Sequence, residues 1–190
     1  MVGVAYSVLA SDTKKFTPKA YSDMLGRIQL RKKYQSGVTI LSNYIFRRAT
    51  REEMPRILAM QADVFSGEQG IPADDIDTFM AKEPVCWCAE SLEDGKIYAA
   101  VAAWNENGET HWGRFVVFPA ARGHHLGTAL ARVSFNDLFD MGVDKVYMDA
   151  RDATVKIVCS MGGRIVGESY KFYEGNVTPV VLEKKDYVRS

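Results

Sequence analysis

The residues of this chain best suited to chemistry are Arg122-Gly123-His124-His125-Leu126-Gly127-Thr128. They follow Phe115-Val116-Val117-Phe118, which reads as the end of a strand, and they lead into helical spacing from Thr128 to Met141. The first N–H groups of such a helix lack intrahelical acceptors, and the helix dipole adds positive potential at the same place. An anion is stabilised there, and a diphosphate suits the cluster of donors. Arg122 adds a fixed positive charge, and Gly123 and Gly127 permit close backbone approach. His124 and His125 are phosphate contacts or plain loop surface. Two glycines in a strand-to-helix loop serve turn chemistry as readily as ligand binding, so the surrounding elements must decide.

Those elements read as one domain with an appendage. Of 190 residues, 47% are hydrophobic and 25% charged, and the formal net charge is zero. No global field therefore draws in nucleic acid or a membrane surface. Seven basic residues (Lys14, Lys15, Lys19, Arg27, Arg31, Lys32, Lys33) face only Asp12 and Asp23 within 1–42, so the remainder is acidic. This shift sets a boundary near Ser42: a basic N-terminal extension, 1–42, and a main domain, 43–190. Thr17-Pro18 opens an amphipathic helix in the extension, whose apolar stripe is expected to pack on the main domain or on a second copy in a homodimer. Its basic face, Arg27 to Lys33, is read as solvated; no nucleic-acid signature accompanies it.

In the main domain, Asn43–Arg48 reads as a strand and Thr50-Arg51-Glu52-Glu53 as a capping box opening a helix to Val64 or Phe65. Gly67 to Asp77 is expected to be an acidic loop. Val85–Ser91, Ile97–Asn105 and His111–Phe118 form an antiparallel meander with turns at Asp94-Gly95 and Asn107-Gly108. Lys145–Asp149 is a strand, Asp152 caps a helix ending at Gly162-Gly163, and Arg164–Phe172 pairs with Thr178–Lys184. Gly113, inside the strand before the loop, predicts a bulge. Cys86, Cys88 and Cys159 are an odd set without suitably spaced histidines; no metal site or disulfide framework is expected, and a reducing cytoplasm fits. No apolar run reaches bilayer length.

Arg122-x-x-His125-x-Gly127 after an apolar strand and Pro119 resembles the Arg/Gln-x-x-Gly-x-Gly/Ala loop of the GNAT superfamily of acyl-CoA-dependent N-acyltransferases. His125 departs from the middle glycine; an αR backbone there keeps the amide available. Glu68-Gln69-Gly70-Ile71-Pro72 and Phe172-Tyr173-Glu174-Gly175 resemble segments of the ElaA-type branch of predicted acetyltransferases. The resemblance spans about residues 43–185. It implies an α/β (α+β) fold with a mixed, mostly antiparallel twisted sheet. It also implies acetyl-CoA or another acyl-CoA as donor, and N-acetylation of an amine on a small molecule or protein.

On this resemblance, backbone groups of Phe115, Val116, Val117 and Phe118 hold the pantetheine arm, and Arg122, Gly123, His124, His125, Leu126, Gly127 and Thr128 hold the diphosphate. Glu109, His111 and Glu68 are candidate bases for the amine; each has a plain alternative as hairpin, strand or surface residue. The family's tyrosine proton donor falls on Val158, leaving Cys159, Ser160 or water to protonate the thiolate. Two other readings stay open. Arg114-Phe115-Val116-Val117 resembles the acyl-homoserine-lactone synthases, which take acyl groups from acyl-carrier protein, although their glutamate is His111 here. A non-catalytic scaffold using the basic arm is the other.

Overall fold

The computed structural model describes residues 39–41, 43–72 and 78–189. The expected helix at Thr17-Pro18 and the end of the acidic loop lie outside them. Strands β1 (Thr39–Leu41), β2 (Tyr44–Arg48), β3 (Val85–Ser91), β4 (Ile97–Glu106) and β5 (Glu109–Val117) form an antiparallel meander. The sheet continues through β6 (Lys145–Ala150), β9 (Gly175–Glu183) and β7 (Arg164–Ile165), while β8 (Tyr170–Phe172) pairs with β9 off the main path. Among the described residues, only β5 and β6 pair in parallel. Helices α1 (Met54–Gln69), α2 (Leu126–Asp140) and α3 (Asp152–Cys159) complete the mixed α/β (α+β) fold.

Period-two alternation puts a core on each face of the sheet. Along β4, Ala99, Val101 and Ala103 join one core with Phe46, Trp87, Trp112 and α2. Ala100 and Ala102 join the other with Cys86, Cys88, Val116 and α1. Small side chains on both faces of this central strand let helices approach from either side. The buried stripe Leu130, Ala131, Ser134, Phe135, Leu138 and Phe139 follows the helical repeat of α2. Burying each Leu or Phe contributes about 1.5–3 kcal/mol before the entropy cost. The polar atoms in this core are paired: Trp112 Nε1 donates to Ser134 Oγ at 3.0 Å, and Ser134 Oγ donates to Ala131 O at 2.9 Å.

A buried arginine ties β2, β3 and the start of α1 together. Arg47 donates to both oxygens of Glu53, at 2.8 and 2.6 Å, and to Glu90. Glu53 in turn accepts from the Thr50 N–H at 2.8 Å, completing the expected capping box.

Several boundaries differ from the sequence reading. Helix α1 runs through Gly67 and Glu68 to Gln69, because Val64 and Phe65 pack into the core and Gly70, at φ 64°, supplies the left-handed cap. At the Asp94-Gly95 turn only Gly95 takes positive φ, whereas Asn107 and Gly108 both do. Helix α2 begins at Leu126, and Asp152 is the first residue of α3 rather than its cap. The long strand expected from Arg164 to Phe172 is broken into β7 and β8. Strand β1 lies within the stretch assigned to the basic extension and pairs with β2.

Candidate active site

β5 and β6 are joined at Thr110–Val146 and His111–Tyr147 and then part, although β5 runs on to Val117 and β6 to Ala150. No β6 residue pairs with β5 beyond His111. A bulge helps to turn the strand out. Ala102 faces Gly113 and Ala100 faces Val116, so Arg114 and Phe115 oppose Val101 alone. The left-handed residue is Arg114, at φ 51°, one place beyond the expected glycine. Gln61, fully buried on α1, holds it: its Nε2 donates to Arg114 O at 2.8 Å, and Arg114 Nε donates to Gln61 Oε1 at 3.3 Å. The Arg114 guanidinium lies 4.3 Å from the Phe79 ring centre. Gly113 packs closely under Trp104, whose ring would lie 3.3 Å from a Cβ there.

Two hollows meet at this fork. One, of about 510 Å³, is lined by Phe115, Val116, Val117, Arg122, Gly123, His125, Leu126, Gly127 and Thr128. The N–H groups of residues 123–128 donate to no acceptor among the described residues. Gly127 packs under Phe115, whose ring would stand 3.0 Å from an added Cβ. His124 and Phe118, expected in this group, do not line the hollow; the Phe118 ring turns toward Tyr98 instead. Arg122 Nε donates to Val117 O at 3.0 Å, and its Nη2 donates to both Glu68 oxygens at 2.9 Å. Glu68 therefore lines the loop hollow. This half-exposed pair adds little stability, but it orients the guanidinium and offsets its charge.

His125 is not αR as expected. It takes φ 58° and ψ 13°, where a side chain is strained and glycine is not. His125→Gly is expected to raise stability by about 0.5–1 kcal/mol, read as a higher urea midpoint at unchanged slope. A loss of stability would mean that the imidazole makes a compensating contact.

The second hollow, of about 480 Å³, occupies the fork itself. Its wall includes Phe65, Trp104, His111, Asp149, Arg151, Phe172 and Tyr173. His111 stands at the last β5–β6 pair, stacked on Trp104 at 5.7 Å and 6.0 Å from the Tyr147 ring. Its Nε2 is 3.9 Å from Glu109 Oε2, on the same side of the strand. Glu109 lines neither hollow, and nor do Cys159 and Ser160; the Ser160 hydroxyl donates to Ile157 O at 2.7 Å. Burial and the facing Asp149 carboxylate push the Tyr170 phenol above its ordinary range. Burial pushes the thiols of Cys86 and Cys88 up to about 12, so they are inert packing groups. Among the described residues, no three His, Cys, Asp or Glu side chains gather as metal ligands do.

Asp149, Arg151 and Trp104 went unread as site residues in the sequence, whereas the spacing of Ile57, Leu58, Gln61, Val64 and Phe65 does put Gln61 on the inner face of α1. The general rule that ligands sit beyond the carboxyl ends of parallel strands points to Asp149 and Arg151. No local signal names Arg114 as the partner of Gln61. The segments around Gln69 and Tyr173 converge here, with Glu174 N–H donating to Gln69 O at 3.2 Å.

Residues 46–158 match the sequence profile of the Acetyltransferase (GNAT) family. The fold is similar to that of Escherichia coli ElaA, with TM-score 0.62 and 18% identity over 73% of this chain and 98% of that one. An acyl-CoA N-acyltransferase from Pseudomonas aeruginosa gives TM-score 0.61 and 21% identity over 73% and 97%. A GNAT-family acetyltransferase from Staphylococcus aureus Mu50 gives 0.58 and 12% over 74% and 98%. No curated protein matches the sequence significantly.

Proposed function

Because the chain belongs to the acetyltransferase (GNAT) family, we propose that it moves an acetyl group from acetyl-CoA to an amine of a small molecule or protein. One observation carries this reading. The loop hollow and the fork hollow adjoin and share Phe115, Thr154, Gln69 and Arg151, so donor and acceptor can meet between β5 and β6. The unpaired N–H groups of residues 123–128 fit a diphosphate, and the open edge of β5 fits an amide-rich arm.

When bound, acetyl-CoA supplies an activated acyl carbonyl. The residues of the chain do the rest. A β5 backbone N–H beyond His111 stabilises negative charge developing on the carbonyl oxygen. His111, in the wall of the fork, takes the proton from the attacking amine. Glu109, 3.9 Å away, then faces an imidazolium and stabilises it, so its part is positioning. Glu68, paired with Arg122, tunes the charge of that guanidinium in this reading. Cys159 and Ser160 lie outside both hollows, and the departing thiolate takes its proton from water.

Calorimetric titration with acetyl-CoA tests the donor half. The wild-type chain is expected to bind, Arg122→Ala to weaken binding about tenfold, and Glu68→Gln to tighten it about threefold by removing a competing carboxylate. Absence of acetyl-CoA binding by the wild type would sink the proposal. Acceptance of long acyl chains only from acyl-carrier protein would replace it with the synthase-like reading.

A further inference from the structure

Among the described residues, Arg151 is not held by a carboxylate. Arg47, Arg48, Arg122, Arg164 and Arg189 each contact a carboxylate. Arg151 is instead fixed by neutral acceptors: its Nε donates to Gln69 Oε1 at 3.0 Å and its Nη1 to Asn176 O at 3.2 Å. The guanidinium rests on the backbone of Gly175 and stands 5.7 Å from the Phe172 ring centre. Its Nη2 is buried and has no hydrogen-bond partner among the described residues. A guanidinium held by neutral acceptors, with one buried nitrogen unpaired, is costly unless a further acceptor completes it. The group lies in the walls of both hollows, at the border between donor and acceptor.

We infer that the acceptor is an amino-acid-like amine whose own carboxylate is held by Arg151. This rests on the acetyltransfer reading above. Planar guanidinium donors match a carboxylate, and Phe65, Trp104 and Phe172 give the body of such a molecule an apolar wall. With the acid fixed at Arg151, the amine is left to turn toward His111 on the opposite strand of the fork. An amine without the acid would leave the buried nitrogen unpaired, which is the usual basis of strong discrimination between analogues.

The test uses the full chain, acetyl-CoA and matched acceptors: phenylalanine, its amide and phenethylamine, then leucine and methionine with their amides. Turnover is followed by mass spectrometry and acceptor binding by calorimetry in the presence of CoA. The expected result is a preference of about tenfold or more for free acids. Arg151→Gln should reduce that preference below about threefold. Equal or better use of the amides by the wild type overturns the inference and leaves acetyltransfer standing. Arg151-dependent binding of the acids without any turnover does the reverse. A loss of acetyl-CoA affinity in Arg151→Gln with the acid preference intact also overturns it, by assigning the guanidinium to the donor. Arg151→Lys, which keeps the charge, controls for misfolding and is expected to recover part of the preference.

Discussion

Arg47→Ala is expected to destabilise the domain by about 3–5 kcal/mol, as for other buried ion pairs broken on one side. The Arg47 side chain is 4% exposed, and its partners Glu53 and Glu90 are 19% and 18% exposed. Removing it leaves two partly buried carboxylates facing each other at the junction of β2, β3 and the start of α1. Urea unfolding measures the loss. The triple change Arg47→Met, Glu53→Gln and Glu90→Gln should cost clearly less, because no uncompensated charge remains. If the triple variant is as unstable as the single one, packing and not charge accounts for the loss.

The sign of the pH dependence is also fixed. The Arg47 guanidinium, by hydrogen bonding, holds Glu53 below the usual carboxylate range. That contribution is present above the unfolded value and is lost as pH falls through the lower folded one. In Arg47→Ala the Glu53 carboxylate gains by protonation, so moving from about pH 7 to about pH 5 should narrow the gap to wild type.

The second large effect concerns the base. His111→Gln is expected to lower kcat by about 100- to 1,000-fold while leaving KM for acetyl-CoA nearly unchanged, since the ring lies on the fork and not on the loop. Added imidazole should restore part of the rate to His111→Gly. Glu109→Gln is expected to cost about tenfold, the loss of a charge 3.9 Å from the ring. Cys159→Ala and Ser160→Ala should stay within about twofold, as neither reaches the hollows. Full activity of His111→Gln would remove the imidazole from the mechanism.

The features legible in the sequence were those set by near neighbours. Thr50 and Glu53 cap each other across three residues, and Asn107-Gly108 turns the β4–β5 hairpin on its own. The loop from Arg122 to Thr128 is likewise a contiguous signal. What escaped depends on distant partners. The bulge settles on Arg114 because Gln61, 53 residues earlier, holds its carbonyl and guanidinium. Arg151 is oriented by Gln69 across 82 residues. Helix α1 outlasts Gly67 because its packed face decides where it ends, and a helical glycine costs only about 1 kcal/mol. The late strand is interrupted between Ile165 and Tyr170, where Pro179 would lie 3.1 Å from a Cβ at Gly167.

The two-pair seam between β5 and β6 also gives the chain an internal clock. Deuterium exchange usually runs slowest at the centre of a sheet, where each amide waits for an opening event. Here a central strand has an edge with no neighbouring strand, so some amides between Trp112 and Val117 exchange on the timescale of loops while Ala99 to Ala103 beside them remain protected. Any molecule that fills the gap slows those amides selectively. Its arrival can then be followed in time without a label and without turnover.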